Sequence, residues 1–407
     1  MKKILFMLGN YTPKASANGI CVRAVIEDLK RKGYHVYVIC YGNEEKMQET
    51  EQETIVTVQS NRCLDNDLYS GKTRGIKRKV FILWSLLTEP PYPMIGKKMA
   101  AAFQKKLKFI LSRYEIDTIV AVVHPVDAAL ALASLGKEPL CRRVIYELDT
   151  LTDDQYLKTG WRRFFFQKIK KTEERIHSRA DKIVYMRSHD ASFSSAPNAS
   201  EVKYVAADIP LIDQAYYDEI HRERQPKHSI PDPFIVYAGS LSAQIRPPEY
   251  VLSLLGALYQ KKVRYKACFY SRGCSEVVRD YSDKTASQIE WKDYVSPDEL
   301  LSIYHDAHFL LNIGNLAEDV LPSKLIQYIS TGKPIIHISF SQKDACLPYL
   351  ERYENCVIIN TEEPFEENVS KLTSFLRTNQ SRVLDYSVIA RAFQENTVEW
   401  TSHQLLN

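Results

Sequence analysis

The segment EDVLPSKLIQYISTGKPII, residues 318–336, gives the clearest local indication of the fold of this chain. Pro322 suits the first position of a helix, and Gly332 suits the residue just past a helix end. Between them, apolar side chains recur at helical spacing and form one stripe: Leu325, Tyr328 and Ile329. An apolar run typical of a buried strand follows from Pro334. We therefore predict a short helix that leads directly into a strand.

The polar face of this predicted helix has the chemistry of a phosphate site. Ser323, Lys324 and Gln327 share the face opposite the apolar stripe. A helix N-terminus offers free N–H groups and a partial positive charge, and Lys324 adds a full charge in the first turn. A capped surface helix with an exposed lysine is the alternative interpretation of the same features.

Apolar runs alternate with helical patterns along both halves of the chain, which predicts parallel α/β sheets. The expected strands are residues 3–8, 35–41, 116–123, 143–147 and 182–186 in the first half, and 234–238, 265–270, 309–313 and 334–338 in the second. Helical patterns cover residues 18–32, 248–258, 297–306 and 387–405. A proline-rich stretch, residues 202–233, interrupts this alternation and marks the expected domain boundary.

The bulk properties fit a protein of two ordinary domains. A chain of 407 residues is too long for one core, and its 45% hydrophobic and 26% charged residues are usual for globular proteins. The first apolar run is shorter than the roughly 7–15 residues of a secretory signal, and no run approaches the roughly 20 of a spanning helix. Eight cysteines form no C-x-x-C pair, as expected for scattered thiols in a reducing compartment.

Residues 318–336 resemble the donor-site signature of retaining glycosyltransferases of the GT-B kind, especially family 4. In that family an acid, seven residues and a second acid run into a helix, and a small residue, glycine, an optional lysine and proline precede a strand. The two acid positions fall here on Asp319 and Gln327. The resemblance implies that Asp319 lies by the donor sugar. It also implies that Gln327 binds the ribose hydroxyls, since an amide both donates and accepts.

The resemblance spans nearly the whole chain and implies two Rossmann-like α/β domains in tandem, with the active site in the cleft between them. Residues 1–207 would form the acceptor-side domain, and residues 208–385 the nucleotide-sugar donor domain. Residues 386–407 would form a C-terminal helix that packs back toward the N-terminal domain.

The start of the second half holds further donor-binding positions of the resemblance. The family has a glycine, a basic residue and then a lysine there, whereas this chain has Gly239, Ser240 and, near the lysine position, Arg246. Arginine binds phosphate through two parallel hydrogen bonds, so Arg246 and Lys324 are the predicted diphosphate clamp. The loop that contacts the nucleotide base in the family falls on Tyr294 and Val295.

Four residues of the first half are assigned to the sugar and the acceptor. Asn10 and Gly19 lie in the region that, in the family, faces the donor phosphates and the acceptor. His124 and Asp149 each follow a predicted strand, at the sheet edge where ligands of parallel sheets gather. The resemblance implies that His124 touches the transferring sugar and that Asp149 has an acceptor-side role. A structural role is the alternative for each of them.

The function implied by the resemblance is transfer of a sugar from a UDP- or GDP-sugar to a glycan or lipid-linked acceptor by a cytoplasmic enzyme of the hexosyltransferase type. The family works most often in bacterial surface-polysaccharide synthesis, and it implies neither a cofactor nor a metal. Ser240, Asp319 and Gln327 depart from the family pattern. They leave open a catalytically degenerate GT-B module that acts as a binding or scaffold partner.

Basic and aromatic residues interleave in two segments of the first half. Residues 70–113 hold eleven Lys or Arg and one acid, Glu89, and a second such segment begins at Trp161. Such segments suit an anionic membrane surface, and a solvated helix face is the alternative. No nucleic-acid motif accompanies them.

Other enzyme classes lack their signatures in this sequence. Asp65-Asn66-Asp67 resembles the metal motif of GT-A glycosyltransferases, but polar residues precede it where that motif needs a strand. Thr331-Gly332-Lys333 lacks the first glycine and the hydroxyl residue of a P-loop, and no G-x-S-x-G occurs.

Overall fold

The computed structural model describes residues 2–69, 75–136, 141–152, 160–187, 203–223, 232–317 and 321–407. The chain forms two compact units, Met1–Pro210 with Glu395–Asn407 and Leu211–Gln394. The predicted boundary lay between residues 207 and 208. The proline-rich stretch around it holds a strand, Lys203–Ala207, and a helix, Gln214–His221, which the sequence analysis did not predict.

The first unit is built on one eight-stranded sheet. Its strands are β1 (Lys3–Met7), β2 (His35–Gly42), β3 (Met47–Glu49), β4 (Glu53–Gln59), β5 (Thr118–Val122), β6 (Arg142–Glu147), β7 (Lys182–Met186) and β8 (Lys203–Ala207). Their order is β3-β4-β2-β1-β5-β6-β7-β8; β3 pairs with β4 antiparallel, and the other neighbouring pairs are parallel. The five predicted strands of this half are confirmed as β1, β2, β5, β6 and β7.

The second unit is built on a six-stranded parallel sheet. Its strands are β9 (Phe234–Ser240), β10 (Lys266–Arg272), β11 (Ile289–Lys292), β12 (Phe309–Ile313), β13 (Ile335–Ser339) and β14 (Cys356–Asn360). They follow the order β11-β10-β9-β12-β13-β14, with Leu310 aligned to Val236 across the central pair. Successive strands therefore extend the sheet toward one edge from β9 to β11 and toward the opposite edge from β12 to β14. The four predicted strands of this half are confirmed as β9, β10, β12 and β13.

The α-helices of the described residues lie between these strands or, for the last three, after β14. They are α1 (Ala17–Arg31), α2 (Ile76–Thr88), α3 (Lys97–Leu111), α4 (Val126–Ala133), α5 (Phe166–His177), α6 (Gln214–His221), α7 (Glu249–Gln260), α8 (Ser275–Lys284), α9 (Pro297–Asp306), α10 (Ser323–Ile329), α11 (Leu347–Leu350), α12 (Phe365–Asn379), α13 (Tyr386–Ala392) and α14 (Val398–Leu406). The predicted helices at 18–32, 248–258 and 297–306 are confirmed as α1, α7 and α9. Each unit has its own apolar core, in which the inner strands are almost fully buried.

The C-terminal tail, predicted as one helical stretch, forms two helices instead. A 3₁₀ turn, Gln394–Asn396, separates α13 of the second unit from α14 of the first. Polar contacts hold α14 on the first unit: the Arg142 guanidinium donates to the Leu406 carbonyl at 2.9 Å, and the buried Lys182 ammonium donates to the Gln404 side chain at 3.2 Å.

Candidate functional site

The candidate donor site of the second unit lies at the carboxyl ends of β9 and β12. These two strands are neighbours, and the strand order runs in opposite directions from them. Ligands of open parallel sheets bind at such a switch point, because the connections leave the two strands on opposite sides of the sheet. Gly239 and Ser240 end β9, and Asn315 follows β12 by two residues. The loop with Arg246 and the helix α10 with Lys324 complete this edge.

Arg246 is held in place by an amide. The backbone groups of Ser242 and Arg246 exchange two hydrogen bonds of 2.7 and 3.2 Å, which close the loop after β9. The Arg246 side chain then donates from Nε and Nη2 to Oδ1 of the buried Asn315, at 3.1 and 2.8 Å. A single amide oxygen thus takes two donors of the guanidinium and fixes its orientation without neutralising its charge.

Lys324 is held in the same way, by the other amide of the site. Its ammonium donates to Gln327 Oε1 at 2.9 Å, and Gln327 Nε2 donates in turn to the Tyr216 hydroxyl at 3.2 Å. The ammonium also lies 5.7 Å from the centroid of the Tyr304 ring. Burial lowers the pKa of Lys324 to about 8, because removal from water disfavours the charged form.

The two cations thus share a chemical environment that suits an anion. Among the residues that the structure describes, no carboxylate pairs with Arg246 or with Lys324. Each charge is oriented by a neutral amide, so its full electrostatic attraction remains available to a ligand. A diphosphate, which carries two or more negative charges, fits such a pair of cations.

Tyr328 ties α10 to the end of β9. Its hydroxyl accepts from the Ala238 backbone N–H at 3.1 Å and donates to the Ala238 carbonyl at 3.3 Å. Its ring packs edge-on against the buried Tyr304 ring at 5.6 Å between centroids, under the Lys324 ammonium. This contact chain runs from Lys324 through two tyrosines to the strand end beside Gly239, and it confirms the predicted burial of the α10 stripe.

The start of α10 differs from the sequence prediction. Pro322 is the N-cap residue rather than the first helical residue, and the helix has seven residues, ending at Ile329. A macrodipole of so short a helix is small, so the positive charge of the site comes mainly from the side chains. Asp319 lies outside the described residues, and the side chain of Ser323 is likewise outside the description.

The predicted base-contacting loop presents an aromatic ring to solvent. Tyr294 is 60% exposed, and the Arg272 guanidinium stacks on its ring at 4.4 Å from the centroid; Val295 is half-buried. Arg272 ends β10 directly opposite Ser240 of β9. The stacked pair therefore lies beside the end of β9, although sequence reasoning did not single out Arg272.

Two predicted residues of the first unit have clear structural roles. Gly19 lies in the first turn of α1 rather than in the preceding loop, and its N–H donates to Ser16 Oγ at 3.2 Å. A Cβ at this position would lie 2.1 Å from the Asn10 carbonyl oxygen, so only glycine fits. The Asn10 side chain joins the segment after β4, accepting from the Leu64 N–H at 2.7 Å and donating to the Arg62 carbonyl at 3.2 Å.

His124 and Asp149 lie at the carboxyl edge of the first sheet, after β5 and β6. His124 has a left-handed backbone (φ 60°), which is uncommon for a residue with a side chain, and its ring packs edge-on against Tyr92 at 5.2 Å. The exposed Asp149 accepts from Asn18 Nδ2, in the first turn of α1, at 3.2 Å. Local strain of this kind is often retained where function needs it.

Solved structures share the fold of this chain at low sequence identity. A UDP-forming trehalose-phosphate synthase from Burkholderia xenovorans is 11% identical with a TM-score of 0.61, over 98% of each chain. The catalytic domain of starch synthase IV from Arabidopsis thaliana is 10% identical with a TM-score of 0.50, over 100% of each chain. AviGT4, a glycosyltransferase of avilamycin A biosynthesis, is 10% identical with a TM-score of 0.51, over 99% of this chain and 96% of its own.

The chain has the GT-B fold. Neither a protein-family model nor a curated protein matches its sequence. Within the described residues, no helix of this GT-B chain combines the length and apolarity that crossing a bilayer requires.

A buried polar network of the second unit was not predicted from the sequence. His337 of β13 lies 2.9 Å from Asn312 Nδ2 of β12 and 3.1 Å from an Asp344 carboxylate oxygen. Burial acts to raise the pKa of Asp344, but hydrogen bonds from His337 and from Cys346 outweigh it and lower the pKa. With Cys346, these side chains place three possible metal-ligand atoms within 4.8 Å of one another. His337, Asp344 and Cys346 each have a hydrogen-bond partner within the network. These hydrogen bonds account for the close spacing of the three side chains.

Proposed function

We propose that this chain is a glycosyltransferase that moves a sugar from a nucleotide-sugar donor to a glycan or lipid-linked acceptor. The observation that carries the proposal is the pair of amide-held cations, Arg246 and Lys324, at the switch point of the second sheet. The GT-B fold supports it. The trehalose-phosphate synthase of this fold is UDP-forming, and starch synthase IV was solved with bound ADP and acarbose.

The chemistry assigned to the two cations is stabilisation of the leaving group. As the bond between sugar and diphosphate breaks, negative charge grows on the departing phosphate oxygens. Preoriented positive groups lower the energy of that transition state without reorganising at the moment of reaction. Arg246 and Lys324 meet this requirement because their amide partners fix them, and within the described part of the chain no carboxylate neutralises either charge.

The roles proposed for the other donor-side residues follow the resemblance found in the sequence. Gly239 and Ser240 approach the phosphates, Tyr294 and Val295 the base, and Gln327 the ribose hydroxyls. Ser323 and Asp319 complete the proposed donor set, Asp319 at the sugar. In the first unit, His124 is assigned to the transferring sugar, and Asn10, Gly19 and Asp149 to the acceptor side.

Retention of configuration, independence of metal ions and a place in bacterial surface-polysaccharide synthesis belong to the proposal as well. We assign no protein nucleophile, since attack on the face from which the diphosphate departs requires none. A cytoplasmic enzyme, peripheral on the inner face of the membrane, suits an acceptor linked to lipid. NMR of the product would check retention, because the anomeric configuration of the donor should be preserved.

The test is release of nucleotide from a panel of UDP-, GDP- and ADP-sugars. We expect turnover with at least one donor, and a loss of about 10²-fold or more in kcat in both Lys324→Ala and Arg246→Ala. Lys262→Ala, which removes an exposed lysine from the turn after α7, is the matched control and should keep the wild-type rate. Wild-type turnover in both site variants would contradict the proposed clamp.

A catalytically degenerate GT-B module is the second candidate. Ser240 and Gln327 favour it, because the resemblance places a base and an acid at these two positions. The same panel separates the two candidates: a degenerate module would bind a nucleoside diphosphate through Arg246 and Lys324 but leave every nucleotide sugar intact.

A further inference from the structure

Helix α2 of the first unit presents its apolar side to solvent. Ile76, Val80, Leu83 and Leu87 recur at i, i+4, i+7 and i+11 and so form one stripe along the helix. Their side chains are 81%, 61%, 62% and 77% exposed. Trp84, beside the stripe, is 50% exposed. Globular helices ordinarily bury such a stripe, and a contiguous exposed apolar surface marks a site of interaction.

The opposite side of α2 is polar and faces the protein. Ser85 is the one buried residue of the helix. On the same side, Arg78 Nε donates to the Leu68 carbonyl at 3.3 Å, and Thr88 Oγ1 accepts from Asn61 Nδ2 at 3.1 Å. The helix is thus attached through its polar residues, with its apolar stripe left outside. This orientation is the reverse of that of a core-packed amphipathic helix.

The charge of α2 indicates what covers the stripe. Lys77 and Lys79 are exposed and flank the stripe on either side near the N-terminal end, and the helix contains no acid. A second exposed aromatic of the first unit, Phe164, is 77% exposed and follows Arg162 and Arg163 directly. Apolar side chains with lysines along their border and a tryptophan nearby match the polarity gradient of a lipid headgroup region.

We propose that α2 lies in the surface of an anionic lipid bilayer, with the stripe Ile76, Val80, Leu83 and Leu87 among the acyl chains and Lys77 and Lys79 at the headgroups. Basic residues near such a surface are attracted to anionic lipids, and α2 contains no acidic side chain that these lipids would repel. A second copy of this chain would cover the stripe equally well, but α2 offers no acid to pair with the lysines of the other copy. The inference rests on the peripheral membrane location of the proposed function and names the element that would bind the bilayer, but vesicle binding by α2 can be measured independently of sugar transfer.

The experiment is sedimentation of the full chain with vesicles of phosphatidylcholine alone and of phosphatidylcholine with phosphatidylglycerol. We expect binding to the anionic vesicles that weakens with salt. The variant Ile76→Ser/Leu83→Ser/Leu87→Ser should bind roughly tenfold or more weakly, because three exposed apolar side chains lose their burial in lipid. Lys77→Glu/Lys79→Glu should lose the preference for anionic vesicles.

Exposed residues of the second unit provide the controls. Val388→Ser, at an apolar side chain 41% exposed, and Lys262→Glu should bind vesicles as wild type does. Equal binding of wild type to both vesicle types would overturn the inference, as would full binding by the triple serine variant. A concentration-dependent dimer that the triple variant abolishes would also overturn it and would assign the stripe to a second copy.

Discussion

In the contact between Arg246 and Asn315, a neutral amide orients a charged side chain. The Asn315 oxygen accepts two donors of the guanidinium, at 3.1 and 2.8 Å, and orients it without neutralising its charge. A carboxylate in the same place would hold Arg246 equally well but would compete with a phosphate for it.

Asn315→Asp is therefore expected to weaken binding of a nucleoside diphosphate by about tenfold or more while preserving the fold. Isothermal titration with UDP and GDP checks this, with Asn379→Asp, at the last residue of helix α12, as the matched control. Unchanged affinity in Asn315→Asp would mean that Arg246 does not face the phosphates.

The lowered pKa of Lys324 gives a pH-dependent prediction. Burial brings this pKa to about 8, so the ammonium is charged below that pH and loses its proton as the pH rises through it. Affinity for a nucleoside diphosphate should then fall between pH 7 and 9, by at most about tenfold per pH unit.

Lys324→Arg provides the control, because a guanidinium stays protonated throughout this range. Titrations at several pH values should show a flat profile for the arginine variant and a declining one for wild type. Parallel declines in both proteins would assign the pH dependence to another group.

At the scale of elements, the turn after α10 holds the helix in place. Gly332 has a left-handed backbone (φ +71°), and a Cβ there would lie 2.4 Å from the Leu384 carbonyl oxygen. Gly33, after α1, has a similar backbone (φ +80°) but open space around the same position.

Gly332→Ala is expected to destabilise the protein by about 2–4 kcal/mol, since backbone strain and a backbone clash add together. Gly33→Ala should cost only about 1 kcal/mol, the strain alone. Urea unfolding followed by circular dichroism checks the difference, and equal losses in the two variants would contradict the role of the clash.

The elements that the sequence predicted are those with continuous apolar runs. β1, β5 and β12 lie inside their sheets, so almost every side chain is apolar and the pattern is unambiguous. The edge strand β11, IEWK, is half-exposed and mixed in polarity. β8 lies among the prolines that mark the boundary, and its pairing with β7 decides its conformation.

The candidate site was predictable only where its chemistry is local in sequence. Lys324 and Gln327 lie one helical turn apart, so their shared face could be predicted from spacing. Asn315 and Tyr216 lie 69 and 111 residues from the partners they contact, which no local pattern shows. A polar residue close behind a buried strand, as Asn315 is two residues after β12, is the one signal that could have indicated the first of these.

For the whole molecule, we expect stabilisation by nucleoside diphosphates but not by nucleosides. A ligand present at about 100 times its Kd stabilises the folded state by about 2.7 kcal/mol, because it binds only that state. UDP or GDP should therefore raise the Tm by a few degrees, and the matching nucleoside should have little effect. Lys324→Ala should abolish the difference, whereas an equal shift with nucleoside would indicate binding through the base alone.

The proposed function rests on binding of the donor diphosphate by Arg246 and Lys324 together. A crystal structure of the protein with UDP or GDP would show this binding. We expect phosphate oxygens within hydrogen-bond distance of the Arg246 guanidinium and the Lys324 ammonium, at the carboxyl ends of β9 and β12. A nucleotide bound with its phosphates away from both side chains would contradict the proposed diphosphate clamp.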